Sequence, residues 1–488
     1  MKRMLAICLA LCLLCGCAPR DEGDTQTPPS VKEPVIENQI CRVAYFNERT
    51  VNPLTTRVTA NLALYSLIYD GLFELTPAFE AAPVLCDSYT VDGNVWRFTL
   101  RSMNFSDSTA LSARDVVYSY SLAREETSAY AGRFQNIESF RALSDSVVEV
   151  VTKSPNANLP ALLDIPIIKR DESATVAIGT GRYQFIYENG APVLVKNPSY
   201  GEYAMPYEKI EIVTVGSEEQ LAKELQSGGV SMAAVDITAT GNVSWGGDCD
   251  RVDYPTTTML YLGFQTRSRA LRSPTVRRAI ACAIDRESIA AKDYSGFADA
   301  SALPFHPSAV QYQKGIADLL SYTPDTAKAH LKAAGRESLA VSLLVNAENP
   351  SKVSAAQRVA ESLKSADITV TVEAVPWETF TKRLRSGSFE LYLGEVALSA
   401  DFDVTSLVAP GGALNYGNFS SEYLSPALYS ARAGGDLAPF LRQFADEIPF
   451  APILFKRDTL LVQKNFFAEL TPAVHSPFYH FFDWKRVS

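Results

Sequence analysis

Hydrophobic and polar positions along this chain switch between a two-residue period, which predicts strands, and a longer period, which predicts helices. From 208 to 236 the pattern indicates strand, helix and strand, with two glycines closing the helix. From 338 to 396 it indicates strand, helix, strand, helix and strand. Strands that alternate with helices are typical of a parallel or mixed sheet covered by helices. The sequence therefore predicts the α/β fold class.

Two helices have well-defined beginnings in the sequence. Thr323 can cap a helix whose first residue is Pro324, and Gly335 stands where that helix should end. Ser273 and Pro274 begin a second helix in the same way. The second helix has one apolar face, which consists of Val276, Ile280, Ala283 and Ile284. We expect that face to be buried.

The first residues follow the pattern of a leader segment. Lys2 and Arg3 precede an apolar run of about ten residues, which suits a signal peptide but falls short of the roughly 20 residues of a membrane span. The following LLCGC resembles the bacterial lipobox, whose last cysteine, here Cys17, is acylated and becomes the new N-terminus. We predict a lipoprotein signal peptide over residues 1–17 with lipidation at Cys17. The alternative is an ordinary secretory signal that is cut elsewhere.

Residues 18–38 are predicted to be a tether. The stretch APRDEGDTQTPPSVKEPVIEN contains few apolar residues and four prolines, a composition that favours an extended, solvated segment. Two or more acyl chains at Cys17 would give lasting attachment to a membrane. We therefore expect a protein anchored by lipid to the cell membrane, with its folded body outside the cytoplasm.

Composition and motifs exclude several classes of function. A chain of 488 residues is long enough for two or three domains, and its net charge of −10 argues against nucleic-acid binding. The sequence contains no nucleophile elbow, zinc-protease motif or phosphate-binding loop. The close pair His475 and His480 is expected to pack in an aromatic loop, and no metal site, cofactor or catalytic residue is predicted. An enzyme is therefore not expected.

Several stretches together resemble the extracytoplasmic solute-binding proteins of ABC transporters, in the peptide- and nickel-binding family. Their order and spacing along nearly the whole mature chain carry the resemblance. They are VNPLTTRVTANLALYSLIYDGLFEL, APVLCDSYTVDGNVWRFTLRSMNFSDSTALSARDVVYSY, GTGRYQFI, YLGFQT, VRRAIACAIDRESI, YTPDTAKAHLKAAG and IPFAPILF.

This resemblance implies a two-lobed periplasmic-binding-protein-like fold of the class II type, with mixed sheets. The first lobe would be discontinuous and would consist of residues 39–265 and 456–488. An added subdomain would occupy about 55–168, and the second lobe would run over 266–455. The cysteines Cys41 and Cys249 would then lie in one lobe. They are the pair we expect if any disulfide forms, with buried free thiols as the alternative.

The implied function is that of a substrate-binding component of an ABC importer. It would capture a peptide-like solute by lobe closure, without catalysis, and deliver it to a membrane permease. We expect a monomer whose partners are the solute and the permease. Two alternatives stay open: the same fold binding a metal chelate or an oligosaccharide, and a signalling receptor that senses a peptide.

The resemblance also implies a ligand site. LSADFD matches the stretch in which peptide binders hold the ligand's ammonium, with Asp401 at the aspartate, Phe402 at the tyrosine and Leu398 at the tryptophan. The alternative is that Asp401 or Asp403 caps a following helix. Arg57 could bind a ligand carboxylate or be a solvated surface residue, and Gln265 stands where the family has asparagine.

Overall fold

The computed structural model describes residues 40–171, 173–201, 205–239 and 243–487. The predicted signal peptide, the lipidation of Cys17 and the tether over 18–38 lie outside these residues. No helix within the described part of the chain combines the length and the apolar character needed to span a membrane.

Strands account for most of the regular structure. In chain order, the strands among the described residues are β1 (Arg42–Phe46), β2 (Phe73–Leu75), β3 (Ala81–Pro83), β4 (Cys86–Asp92), β5 (Val95–Leu100), β6 (Ile137–Ala142), β7 (Val147–Thr152), β8 (Tyr183–Glu188), β9 (Ala191–Lys196), β10 (Lys209–Val215), β11 (Met232–Val235), β12 (Cys249–Phe264), β13 (Ala298–Ala300), β14 (Leu339–Asn346), β15 (Ile368–Val375), β16 (Leu391–Ala397), β17 (Phe450–Gln463), β18 (Phe467–Ala468) and β19 (Lys485–Arg486).

Helices cover the sheets and connect their strands. In the described residues they are α1 (Leu62–Tyr65), α2 (Ala113–Ala123), α3 (Glu218–Ser227), α4 (Pro274–Cys282), α5 (Arg286–Lys292), α6 (Lys314–Ala317), α7 (Pro324–Ala333), α8 (Pro350–Lys364), α9 (Trp377–Ser386), α10 (Thr405–Val408), α11 (Leu424–Arg432) and α12 (Ala438–Glu447).

The patterned segments form the predicted elements. Residues 208–236 become β10, α3 and β11, and residues 338–396 become β14, α8, β15, α9 and β16. Pro324 begins α7, and Gly335, with φ of +72°, follows its end. The predicted apolar face of α4 and the residues just after it is fully buried. The α/β class predicted from the pattern is therefore confirmed.

The main sheet is mixed and has eleven strands. Ten of them follow the order β15, β14, β16, β12, β17, β11, β1, β10, β9 and β8, and β13 pairs with β17. Strands β14, β15 and β16 run parallel at one end, and β1, β10 and β11 run parallel on the other side of the two longest strands. A separate antiparallel sheet has the order β4, β5, β7 and β6 and is covered by α2.

The two longest strands connect two large cores. One core gathers around β12 from Met259 onward and around β14 to β16, and the other around β1, β10 and the four-stranded sheet. We call the part that contains the core around β14 to β16 the second lobe. The part that contains the core around β1 and β10 is the first lobe. The boundaries at 265, 266, 455 and 456, and that of the added subdomain at about 55–168, stay predictions.

The pairing of β12 with β17 is interrupted between the lobes. The ladder runs from Cys249 to Pro255, breaks, and resumes at Met259. Thr256 Oγ1 donates a hydrogen bond to the Lys456 carbonyl oxygen at 2.8 Å within this break. An interruption of regular pairing is where a sheet bends most readily. We call this point the hinge.

The described cysteines are free thiols, as the alternative to a disulfide expected, and the conditional pair Cys41 and Cys249 is not bonded. Cys41 immediately precedes β1, whereas Cys249 begins β12, and β11 and β17 lie between these strands. Neighbouring strands are about 4.8 Å apart, so roughly 14 Å separates the two residues. A disulfide requires Cα atoms within about 7 Å of each other. Burial raises the pKa of both thiols and keeps them protonated.

Four side chains form an ion-paired contact between the lobes, which we call the latch: Asn156, Asp401, Asp403 and Arg432. Asn156, which follows β7 in the first lobe, donates from Nδ2 to Asp401 Oδ2 at 2.9 Å. Arg432 Nη1 lies 3.5 Å from Asp401 Oδ2 and 2.8 Å from Asp403 Oδ2. The Ala157 N–H donates to the Arg432 carbonyl oxygen at 2.7 Å. These contacts hold the end of α11 against the first lobe.

An aromatic contact lies beside the latch. The Phe79 ring, between β2 and β3, reaches into the core of the second lobe. Its centroid lies 5.0 Å from that of the Phe402 ring and 5.3 Å from that of the His306 ring. Phe402 also packs edge-on against Phe455 of β17. Phe79 and Phe402 are each no more than 2% exposed, so the contact excludes water. The two lobes are thus joined by a charged contact, the latch, and by an apolar contact next to it.

The GTG segment just before β8, Gly179 to Gly181, brings two stretches of backbone into close approach. The Gly181 N–H donates to the Ile68 carbonyl oxygen at 2.9 Å. A Cβ atom at Gly181 would lie 2.4 Å from the carbonyl carbon of Ile68, and one at Gly179 would lie 2.3 Å from its oxygen. Because backbone atoms cannot yield as a flexible side chain can, both positions require glycine.

We expect Gly181→Ala to lower the free energy of unfolding by about 1–3 kcal/mol, because the added methyl group overpacks against the backbone of Ile68. Urea denaturation measures the change. Gly132→Ala is the matched control, since a Cβ there meets no atom within 4 Å, and it should stay within about 0.5 kcal/mol of the wild type. Equal effects of the two substitutions would contradict the close approach.

We expect Arg432→Met to lower the free energy of unfolding by about 3–5 kcal/mol, because it leaves the buried Asp401 carboxylate without its cation. The control is Arg114→Met, since the Arg114 side chain is 72% exposed and lies 3.8 Å from Asp145, which is 87% exposed. That change should cost no more than about 1 kcal/mol. Urea denaturation compares the two, and a loss below about 1 kcal/mol for Arg432→Met would show that the latch adds nothing to stability.

Candidate functional site

A cleft of about 420 Å³ opens beside the hinge. The first lobe supplies most of its walls, the hinge strands supply its base, and Ala397 at the end of β16 contributes from the second lobe. Its lining residues are Phe46, Thr59, Ala60, Leu62, Ala63, Glu218, Leu221, Ala234, Val235, Asp236, Ala239, Trp245, Tyr254, Thr256, Thr257, Thr258, Ala397, Asp458, Val474, His475 and Pro477.

The parallel strands of the first lobe position the cleft. Strands β1, β10 and β11 run parallel, and Phe46, Glu218 and Asp236 lie at or just beyond their carboxyl ends. In open α/β sheets ligands bind in the crevice outside the carboxyl ends of the strands. The topology therefore gives this cleft the usual position of a ligand site.

The base of the cleft is polar backbone and hydroxyl groups. Thr256, Thr257 and Thr258 follow one another where the β12–β17 ladder is interrupted. The Thr257 carbonyl oxygen accepts from the Leu398 N–H at 3.1 Å, which connects the hinge to the segment after β16. Tyr254 and Trp245 add aromatic surface on the first-lobe side. Such a mixture suits a ligand with both polar and apolar groups.

Two carboxyl groups that line the cleft, those of Asp236 and Asp458, lie close to the Lys456 ammonium. Lys456 Nζ donates to Asp236 Oδ2 at 2.6 Å, and the Lys456 side chain is 7% exposed. Asp458 stands two residues further along β17 and is partly buried. Burial, with the Asp236 carboxylate beside it, raises the pKa of Asp458 to about 7, and Lys456 opposes this effect. The region therefore holds two carboxyl groups for one ammonium.

None of the five ligand-binding residues predicted from the sequence lines this cleft. Leu398, Asp401 and Phe402 lie together beyond the end of β16, and all three are buried. Gln265 is also buried and donates from Nε2 to the Gly387 carbonyl oxygen at 3.2 Å. Arg57 is exposed, and its backbone N–H donates to Glu48 Oε1 at 3.1 Å.

The environment of Asp401 differs from that of an open ligand contact. Ser399 Oγ donates to its Oδ1 at 2.5 Å, and Asn156 and Arg432 approach its Oδ2. Burial raises the pKa of Asp401, and the Arg432 guanidinium opposes this effect. Asp403 Oδ1 accepts from the Thr405 N–H at 2.9 Å just before α10, whose N-cap residue is Val404 and has no side-chain capping hydrogen bond.

Sequence reasoning missed the charged residues of the cleft, although one signal was present. Strand β17 reads FAPILFKRDTLLVQ, so three consecutive charged residues interrupt an otherwise apolar strand. Such a run within a buried strand indicates paired or functional charges. Asp236 carries no comparable signal, because it follows a short strand in a position typical of any turn. Within the described residues, no group of three or more histidine, cysteine or acidic side chains is arranged to hold a metal ion.

A second cavity, of about 290 Å³, lies within the first lobe near its C-terminal tail. Its two carboxylates already have partners: Asp70 accepts from Thr180 Oγ1 at 2.9 Å, and Glu74 lies 3.2 Å from His480 Nε2. His480 also stacks on Tyr479 with ring centroids 4.1 Å apart. The cleft at the hinge is therefore the better candidate for a ligand site.

Comparison with known proteins gives a consistent family. A family model described as bacterial extracellular solute-binding proteins, family 5 Middle, matches residues 80–416. The peptide transport periplasmic protein SapA of Salmonella typhimurium is 23% identical over 469 aligned residues, which cover 80% of this chain and 81% of SapA.

Two solved structures share the fold. HbpA2 from Haemophilus parasuis superposes with a TM-score of 0.73 at 18% identity, covering 92% of this chain and 100% of that one. NikZ from Campylobacter jejuni, solved in complex with Ni(L-His), superposes with a TM-score of 0.62 at 19% identity, covering 91% and 99%. They confirm the predicted two-lobed periplasmic-binding-protein fold. Because the family model matches more than half of the chain, this protein belongs to the family 5 bacterial extracellular solute-binding proteins, the peptide- and nickel-binding receptors of ABC transporters.

Proposed function

We propose that this protein is the lipid-anchored substrate-binding component of an ABC importer, which captures a peptide-like solute and delivers it to a permease. The solute binds in the cleft at the hinge, and the lobes close on it. Catalysis plays no part. The lipid at Cys17 keeps the receptor beside the permease, and the tether over 18–38 lets its folded body reach it.

The observation that carries this proposal is the position of the cleft at the break in the β12–β17 ladder. A solute bound there contacts the first lobe, the hinge strands and the end of β16 together. Because the full set of contacts exists only in one arrangement of the lobes, the solute stabilises that arrangement. A permease can recognise the resulting surface.

A peptide is the favoured solute class for two reasons. SapA, which aligns with most of the chain, is described as a peptide transport protein. The cleft offers backbone groups, threonine hydroxyls and aromatic surface, which suit a main chain with varied side chains. In this function the ammonium contact predicted for Asp401 would require Arg432 to move away, so that role stays a prediction.

A metal chelate is the second candidate. NikZ, solved with a nickel–histidine complex, shares the fold, although at 19% identity the likeness speaks only for the fold. A chelate binder would use a cation against ligand carboxylates, and Arg57 is exposed and could serve. The two candidates differ in the mass of what the protein carries.

Native mass spectrometry distinguishes them. We expect the full chain, purified in mild detergent and mixed with a tryptic digest of casein and with nickel–histidine, to retain peptides of a narrow length range. Denaturation and sequencing of the released molecules identify them. Retention of the nickel complex in place of peptides would favour the chelate, and retention of neither would contradict both.

We expect solute binding to change the emission of Trp245, because this partly buried side chain lines the cleft and would lose its contact with water. Fluorescence titration with a retained peptide measures the response. Trp245→Phe should remove most of it. Trp377→Phe, at a position 56% exposed on α9, is the matched control and should preserve it. A response that disappears with Trp377→Phe instead would place the solute elsewhere.

A further inference from the structure

The polar residues around Asp458 on β17 all have partners. Lys456 pairs with Asp236, Arg457 with both carboxylate oxygens of Asp299, and Thr459 Oγ1 donates to Asp253 Oδ1 at 2.7 Å. The Asp458 carboxylate makes no hydrogen bond or ion pair with any residue in the described part of the chain. Among four consecutive polar side chains, the one without a partner lines the cleft.

The alternation of the strand explains which side chains face the cleft. Successive residues of a strand point to opposite faces, so Lys456 and Asp458 share one face and Arg457 takes the other. Asp236 reaches the same face from the end of β11 and accepts a hydrogen bond from the Lys456 ammonium. Asp458 therefore lies near the Lys456 ammonium, which is already paired with the Asp236 carboxylate.

The remaining charges of the cleft do not neutralise Asp458. Glu218 adds a third carboxylate to the lining. His475, also in the lining, lies with Nδ1 2.9 Å from Asp164 Oδ2 and is turned to that partner. Lining carboxylates thus outnumber the cations that pair with them. Burial is the main cause of the raised pKa of Asp458, and the neighbouring Asp236 carboxylate adds to it.

A partly buried carboxyl group without a partner lowers the stability of the protein unless a bound ligand supplies a hydrogen bond or an opposite charge. Tyr254 and Trp245 lie in the same lining and offer aromatic faces, which attract organic cations. Carboxylates pair most strongly with charged donors such as ammonium and guanidinium groups. From this arrangement we infer that Asp458 binds a positively charged organic group of the solute, either an ammonium or a guanidinium.

The inference rests on the proposed function, because it assigns one contact within the proposed solute cleft. The cation could belong to a peptide, as its terminal ammonium or a basic side chain, or to a polyamine. These sources share the chemistry that Asp458 recognises, and the experiment separates them.

Isothermal titration calorimetry of the full chain in mild detergent compares matched probes. One pair is tri-alanine and N-acetyl-tri-alanine, which differ in the terminal ammonium. A second pair is N-acetyl-Ala-Arg-Ala and N-acetyl-Ala-citrulline-Ala, which differ in the side-chain guanidinium. Spermidine is the cation without a peptide. We expect the cationic member of at least one pair, or spermidine, to bind, with a peptide preference of about 10- to 100-fold over its neutral partner.

The variant Asp458→Asn should reduce affinity for that cationic probe by about 10- to 100-fold and remove the preference over the neutral partner. Asp250→Asn is the matched control: it lies on β12, is exposed and is absent from the cleft lining, and it should leave affinity unchanged. The thermal unfolding midpoint of Asp458→Asn should equal or exceed that of the wild type, because the substitution removes an unpaired carboxyl group.

The outcomes separate the inference from the function on which it rests. Equal binding of cationic and neutral peptides, or unchanged affinity in Asp458→Asn, would overturn the inference and leave peptide binding intact. Binding of spermidine alone, weakened by Asp458→Asn, would support the inference and overturn the peptide assignment. Binding of no probe would overturn both. A lowered unfolding midpoint in Asp458→Asn would give this carboxyl group a structural role and overturn the inference.

Discussion

The antiparallel pairing of β12 with β17 is the interaction on which both lobes depend. Strand β16 of the second lobe is hydrogen-bonded to β12, and β11 of the first lobe is hydrogen-bonded to β17. Each lobe's half of the main sheet is therefore attached through one of these two strands. Because their ladder is regular from Cys249 to Pro255 and is interrupted at residues 256–258, with a further register shift between Leu260 and Tyr261, we expect bending to concentrate at the threonines that line the cleft. The candidate ligand site and the hinge coincide for this reason.

Local signals in the sequence were sufficient for most of the elements. Periodicity predicted β10, α3 and β11 and the series from β14 to β16, because each carries its own apolar face. Gly179 and Gly181 are visible in the sequence, but the reason for them, the approach of the Ile68 backbone, involves a residue more than a hundred positions away. Local sequence patterns therefore predict the secondary structure of a segment, but they do not identify the distant segment that packs against it.

The candidate site shows the limit of such reasoning. Asp401 matches a family motif, yet its charge is taken up by Arg432 and by Asn156, whose distance along the chain gives no signal in the motif itself. The conditional pair Cys41 and Cys249 shows the same limit, because membership of one lobe does not bring two residues to neighbouring strands. Conversely, the charged run in β17 is visible in the sequence, and the structure supplies which of its members already have partners.

The latch affects the relative free energies of the different arrangements of the two lobes. Its contacts are made entirely by the protein's own side chains, so they favour the arrangement of lobes that brings Asn156 to Asp401 whatever the solute. A receptor that spends more time in the binding-competent arrangement gains apparent affinity in proportion to that population. In the proposed importer the same bias would make empty receptors resemble loaded ones. The strength of a few buried contacts would then set a compromise between tight capture and the rate of unproductive encounters with the permease.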